Sequence, residues 1–184
     1  MVTKIKLFLF FSILLPAILF PQRRGMKPAE QELLSEKRVA LVIGNSVYKD
    51  SPLRNPVNDA RVMTATLESF GFKVFAGENL NQKDMKIIIR DFGQQIKSSG
   101  VGLFYYAGHG IQSNGRNYLI PIGADITKEQ DIELEAVDAG YALAEMEAAQ
   151  NRMNIVILDA CRNNPFGRSY RSASRGLAQI VFSA

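Results

Sequence analysis

Four short apolar runs, separated by helical patterns, constrain this chain more than anything else in it. Arg38-Val39-Ala40-Leu41-Val42-Ile43-Gly44, Phe72–Ala76, Val101-Gly102-Leu103-Phe104-Tyr105-Tyr106-Ala107 and Asn154-Ile155-Val156-Ile157-Leu158 each read as a strand buried on both faces. Between them, a helix capped by Asn58 or Asp59 is expected through about Phe70, with Val62, Ala65/Thr66 and Ser69/Phe70 at helical spacing and Gly71 as its stop. A second opens at Asn81 and runs to about Ser98 on a face of Met85, Ile88/Ile89, Phe92 and Ile96; a third covers Glu133–Gln150, with Leu134, Val137, Tyr141, Ala144/Glu145 and Ala148. Asn114-Gly115, flanked by Ile111-Gln112 and Tyr118-Leu119-Ile120, is a hairpin signal. Alternating strands and helices require right-handed crossovers. The expected architecture is therefore α/β, a three-layer sandwich around a mainly parallel sheet.

Ligands of such sheets bind beyond the carboxyl ends of the strands. Two residues fall there, His109 after the third run and Cys161 after the fourth, and they are the only histidine and the only cysteine of the 184 residues. A thiol attacks a carbonyl as thiolate, which a nearby imidazole can generate. Gly108 and Gly110 flank His109 and are expected to let the backbone turn sharply and leave the ring room beside a bound chain. The backbone N–H groups of Gly110 and Cys161 are the candidates for an oxyanion hole. No Asn or Asp adjacent in sequence orients His109, which leaves a backbone carbonyl for that task. The bland alternative is a buried cysteine and an unrelated loop histidine. A dinucleotide-binding reading of Gly108-His109-Gly110 fails, because Ser113 stands at the third glycine and a hairpin rather than a helix follows. A thiol redox sensor would lack a resolving cysteine.

Charge separates the chain into two parts. Lys+Arg number 22 against 18 Asp+Glu, but Lys4, Lys6, Arg23 and Arg24 precede any acid, and from Gly25 onward the charges balance. The folded part offers no net basic charge for a nucleic-acid partner. Residues 1–24, with the uncharged Leu7–Phe20 behind Lys4 and Lys6, read as an export signal or a short membrane anchor. The protein is thus expected to be exported (periplasmic or secreted) or held at a membrane through residues 7–20. Residues 25–36 read as a linker and 37–184 as the catalytic domain.

Ala40-Leu41-Val42-Ile43-Gly44-Asn45, Asn55-Pro56-Val57-Asn58-Asp59-Ala60, Tyr105-Tyr106-Ala107-Gly108-His109-Gly110, Tyr118-Leu119-Ile120-Pro121 and Asp159-Ala160-Cys161-Arg162-Asn163 resemble the caspase-like cysteine peptidases of the bacterial metacaspase/orthocaspase branch. The likeness covers roughly Lys37 to Gly176, and the His-Gly and Asp-Ala-Cys pair lies 52 positions apart, near the spacing of about 50 in caspases. It implies a caspase-hemoglobinase fold with Cys161 as nucleophile and His109 as general base.

Asp159 stands where the caspase signature has Gln, and Asp59 matches the acidic position lining the first specificity pocket of metacaspases. Two carboxylates at one cleft favour Arg or Lys and repel Asp, so cleavage after Arg or Lys is expected; a plain helix cap is the other role open to Asp59. Arg168, Arg171 and Arg175, behind Cys161, are then candidate self-cleavage sites or simply a solvated basic loop. No cofactor or metal is expected: some members depend on calcium, but no acidic run marks such a site, and calcium activation stays an alternative. The resemblance implies two further strands, whereas Gly176–Ala184 suffices for one. The expectation is a domain truncated at its C-terminus, its open sheet edge covered by a partner or by self-association. If the cleft wall is missing, the rival function is an inactive caspase-like module that binds a peptide.

Overall fold

Val39–Ile43 expose none of their surface, which requires layers on both faces of the sheet they enter. The computed structural model describes residues 36–97 and 99–161, the last of these by its backbone alone. The leader at 1–24, nearly all of the linker at 25–36, and Arg168, Arg171 and Arg175 lie outside the described residues. Within them, β1 (Arg38–Gly44), α1 (Pro56–Ser69), β2 (Phe72–Glu78), α2 (Gln82–Gln95), β3 (Val101–Ser113), β4 (Arg116–Leu119), α3 (Glu129–Glu135), β5 (Val137–Asp138), α4 (Ala139–Ala148) and β6 (Met153–Cys161) follow in order.

The sheet runs β2-β1-β3-β4-β5, with β6 also paired to β3. β2, β1, β3 and β6 are mutually parallel, while β4 and β5 join antiparallel. The sheet is thus mainly parallel, as expected. One face packs Val39, Leu41, Ile43, Phe104 and Tyr106 on Met85, Ile89, Phe92 and Ile96, with Ala142 and Met146 of α4. The other packs Ala40, Val42, Leu103, Tyr105 and Ala107 on Ala60 and Leu67 of α1. Three layers result, and each large side chain buried contributes about 1.5–3 kcal/mol.

Four expectations need correction. The first helix starts at Pro56 behind Asn55, so Asp59 lies in its first turn and is not its cap; proline is pre-set for that first position, where its missing N–H is no loss. Its buried side is Ala60, Met63 and Leu67, while Val62 and Phe70 are exposed. Both stripes satisfy helical spacing, and the small Ala60 allows the close approach to Gly44, where an added Cβ would lie 2.7 Å from the Ala60 Cβ.

The third helix is really two, α3 and α4, split by β5. Val137 and Asp138 pair with Leu119 and Tyr118, the Asp138 side chain caps α4 by accepting from the Gly140 N–H, and Leu134, expected on the buried face, is 72% exposed. Lastly, Gly108-His109-Gly110 is no turn: β3 runs through it to the Asn114-Gly115 hairpin, where both turn residues have positive φ, 50° and 76°.

Candidate active site

β3 outlasts β1. β1 stops pairing at Gly44↔Ala107, β6 at Cys161↔His109, and β4 begins at Leu119↔Gly110. His109 therefore sits where parallel pairing has run out on the β1 side and beside the last described residue of β6. Paired strands lie about 4.8 Å apart, so the backbones of the only histidine and the only cysteine are adjacent. Proximity comes from register, although His109 lies inside a strand and not after its end.

The imidazole is held from the loop behind β1. His109 is 6% exposed, and its Nε2 lies 2.7 Å from the Ser51 carbonyl oxygen. A carbonyl only accepts, so Nε2 carries the proton and Nδ1 presents its lone pair. A backbone carbonyl thus orients the ring, as the lack of a neighbouring acid suggested. Nδ1 is buried and has no hydrogen-bond partner among the described residues. Burial lowers the pKa of the ring below its ordinary 6.5, with the Ser51 carbonyl opposing in part, so the ring is mostly neutral near pH 7.

Tyr48 from the same loop packs against it, with ring centroids 4.5 Å apart. Asn45, fully buried at the end of β1, fixes the start of the loop: its Nδ2 donates to the Leu80 and Ile120 carbonyls and its Oδ1 accepts from the Leu80 N–H. A cleft of about 250 Å³ opens there, lined by the buried Tyr48, His109 and Ile120 and by the exposed Lys49, Asp50 and Asp125. Neither Tyr48 nor Ser51 was visible as a site residue beforehand, because nothing in a sequence marks which loop carbonyl or ring will meet a distant histidine.

Asp159 bonds to a phenol that the charge of Asp59 also reaches. The Tyr105 hydroxyl donates to Asp159 Oδ2 at 3.3 Å. Its pKa is pushed up to about 12, first by burial, then by the charge and hydrogen bond of Asp159, and last by the charge of Asp59. Both carboxylates are exposed. Asp159 lies two residues before Cys161, opposite Ala107. The peptide groups of alternate residues point to opposite strand edges. His109 directs its own toward β4, taking a bond from the Ile120 N–H, and so Gly110 directs its N–H to the edge where β6 ends.

Among the described residues, no three His, Cys, Asp or Glu side chains converge as metal ligands, and no helix is long and apolar enough to cross a membrane.

Comparison with known proteins fits this layout. The caspase-domain family matches residues 37–179. Mucosa-associated lymphoid tissue lymphoma translocation protein 1 of Homo sapiens is 29% identical over 130 residues, covering 70% of this chain and 15% of that protein. Caspase-1 of Sus scrofa is 28% identical over 135 residues, covering 71% of this chain and 32% of its own. The chain thus spans at most about a third of the length of these relatives. The crystal structure of the Drosophila initiator caspase Dronc superposes with a TM-score of 0.50 at 11% identity, over 65% of this chain and 46% of that one, a likeness of fold alone.

Proposed function

Since the chain belongs to the caspase-domain family of peptidases, we propose that it is a cysteine endopeptidase in which Cys161 is the nucleophile and His109 the general base, cleaving after Arg or Lys. The supporting observation is the paired register of these two residues together with an imidazole whose Nδ1 lone pair is unengaged among the described residues.

In this reading Nδ1 takes the thiol proton and the thiolate attacks the carbonyl carbon. The oxyanion is met by the N–H groups of Gly110 and Cys161. The protonated ring then gives its proton to the leaving amine as the C–N bond breaks. Water attacks the thioester with His109 again as base, releasing the acid and restoring the thiol. The Ser51 carbonyl keeps Nε2 protonated throughout and stabilises the transient positive ring. The cleft beside His109, across β3 from β6, gives room to the residue after the scissile bond, since the leaving amine must come within reach of the ring. Asp159, bonded to Tyr105, and Asp59, whose charge also reaches that phenol, support an Arg or Lys side chain on the acyl side and the assignment to the metacaspase branch. Lys4, Lys6 and Leu7–Phe20 support export or anchoring of the domain.

Fluorogenic peptides ending in Arg, Lys or Asp test the specificity, and an arginine chloromethylketone tests the dyad. The expectation is turnover of Arg and Lys peptides only, and labelling of Cys161 that His109→Ala abolishes. Preferred cleavage after Asp would overturn the pocket assignment. Absence of both turnover and labelling would make the protein an inactive peptide-binding module.

A further inference from the structure

We propose that Tyr48 is a positioning residue for His109: its hydroxyl, backed by that of Tyr106, is wedged into the β3–β4 ladder beside the His109 N–H and fixes the backbone that carries the imidazole. The role rests on His109 being the general base, but the wedge itself can be tested without any cleavage assay.

β3 and β4 pair Gly110 with Leu119 and the preceding residues in step, so the next antiparallel pair is His109 with Ile120. In an unbroken ladder those two would exchange both N–H···O bonds. Only one is made directly, from the Ile120 N–H to the His109 carbonyl at 3.0 Å. The other is opened by a hydroxyl: the His109 N–H donates to Tyr48 Oη at 3.0 Å, and Tyr48 Oη donates to the Ile120 carbonyl at 3.0 Å. Tyr106 Oη lies 2.8 Å from the His109 carbonyl, 3.0 Å from that of Ile120 and 3.2 Å from Tyr48 Oη.

Each hydroxyl has one proton. With the proton of Tyr48 directed to Ile120 and that of Tyr106 to His109, each hydroxyl donates to one carbonyl. The N–H and the C=O of His109 are then both held by side chains at the point where β1 can no longer supply a partner.

The arrangement is a built one. Tyr106 is fully buried and Tyr48 is 9% exposed, and burial raises the Tyr106 pKa well above 10.0, keeping its proton in place. Gly108 leaves the space: a Cβ there would lie 2.5 Å from Tyr106 Oη and 2.7 Å from Tyr48 Oη. That accounts for a glycine before His109 although the strand does not turn. Tyr48 also packs its ring against the imidazole at a tilt of 51°, so one residue bears on both the backbone and the ring of His109.

His109 is the only histidine, so its ring and amide signals identify themselves by NMR. In a Cys161→Ala background, Tyr48→Phe is expected to speed exchange of the His109 amide proton about ten-fold or more and to weaken its Nε2–H tautomer preference. With the cysteine present, kcat on an Arg peptide should fall about ten-fold while KM stays within about two-fold. Tyr106→Phe should act likewise, and the double variant should lose less than the product of the two, because both hold the backbone of the one residue. Should one variant fail to fold, the other carries the same test.

Tyr118→Phe, a buried tyrosine whose hydroxyl faces Glu133, should change none of these readings. Unchanged exchange and tautomer in Tyr48→Phe, or an altered ring with unchanged kcat, would overturn the proposal. If the ring and amide respond but the unsubstituted protein cleaves nothing, the peptidase reading falls while the wedge stands.

Discussion

The two halves of β3 are held in different ways. From Val101 to Ala107 the strand is flanked on both edges by parallel partners, and its backbone is fixed by ladders alone. From Gly108 to Ser113 one edge passes from β1 to β4, and the seam at His109 is closed by the hydroxyls of Tyr48 and Tyr106. A ladder supplies rigidity without address, since any apolar residue can occupy its sites. Side chains inserted at the seam give one residue a defined position. The lower half should therefore govern stability and the upper half chemistry.

The most severe break would come at the reacting pair. His109→Ala or Cys161→Ala should lower kcat/KM on an Arg peptide by about 10⁴-fold or more, with little change in the denaturant midpoint. Residual turnover within about ten-fold of the unsubstituted protein would remove the upper half's special status. At the other end, Phe104→Ala should cost about 3–5 kcal/mol of unfolding free energy, because Phe104 is fully buried among Leu41, Phe92 and their neighbours. Its kcat, measured well below the unfolding transition, should stay within about two-fold. A large fall in kcat with intact structure would show that the halves are coupled and do not divide the labour.

Gly108→Ala sits on the boundary and should strike both. The added methyl must displace two tyrosine hydroxyls, and a loss of roughly 100-fold in kcat is expected, with about 1–3 kcal/mol of stability. A neutral outcome would mean that the seam yields without cost.

The same division explains what a sequence can reveal. β1 is legible to the residue because burial on both faces writes an unbroken apolar run. The adjacency of His109 and Cys161 is legible too, because parallel strands entered from helices present their carboxyl ends together. The asymmetric parts are not. Helical spacing in α1 fits two stripes equally, and only the close approach at Gly44 selects Ala60 and Leu67 over Val62 and Phe70. The interruption between α3 and α4 depends on Val137 and Asp138 meeting β4, a contact between segments about 20 residues apart for which no local propensity speaks. Likewise Tyr48 meets His109 across 61 positions. Asp59 falls in the first turn rather than at the cap because Pro56 opens the helix.

The smallest expected effect is the most discriminating between the halves, because only the upper one contains a group that titrates near neutrality. Burial lowers the pKa of His109 and the Ser51 carbonyl, by accepting from Nε2–H, raises it by less. In the unfolded chain the ring titrates near 6.5, so between that pH and the lower folded value the unfolded state binds more protons. The neutral ring's contribution to stability is therefore complete above about pH 6.5 and is lost as pH falls through the folded pKa. In Cys161→Ala, where no thiol can couple to it, NMR titration of the single histidine should give a midpoint below 6.5 with the Nε2–H tautomer dominant above it. Tyr48→Phe, by loosening the seam and admitting water, should bring that midpoint back toward 6.5, whereas Phe104→Ala should leave it where it was. A midpoint at or above 6.5 in the Cys161→Ala protein would mean that the imidazole already faces water, and the upper half of β3 would then lack the closed seam that sets it apart from the lower.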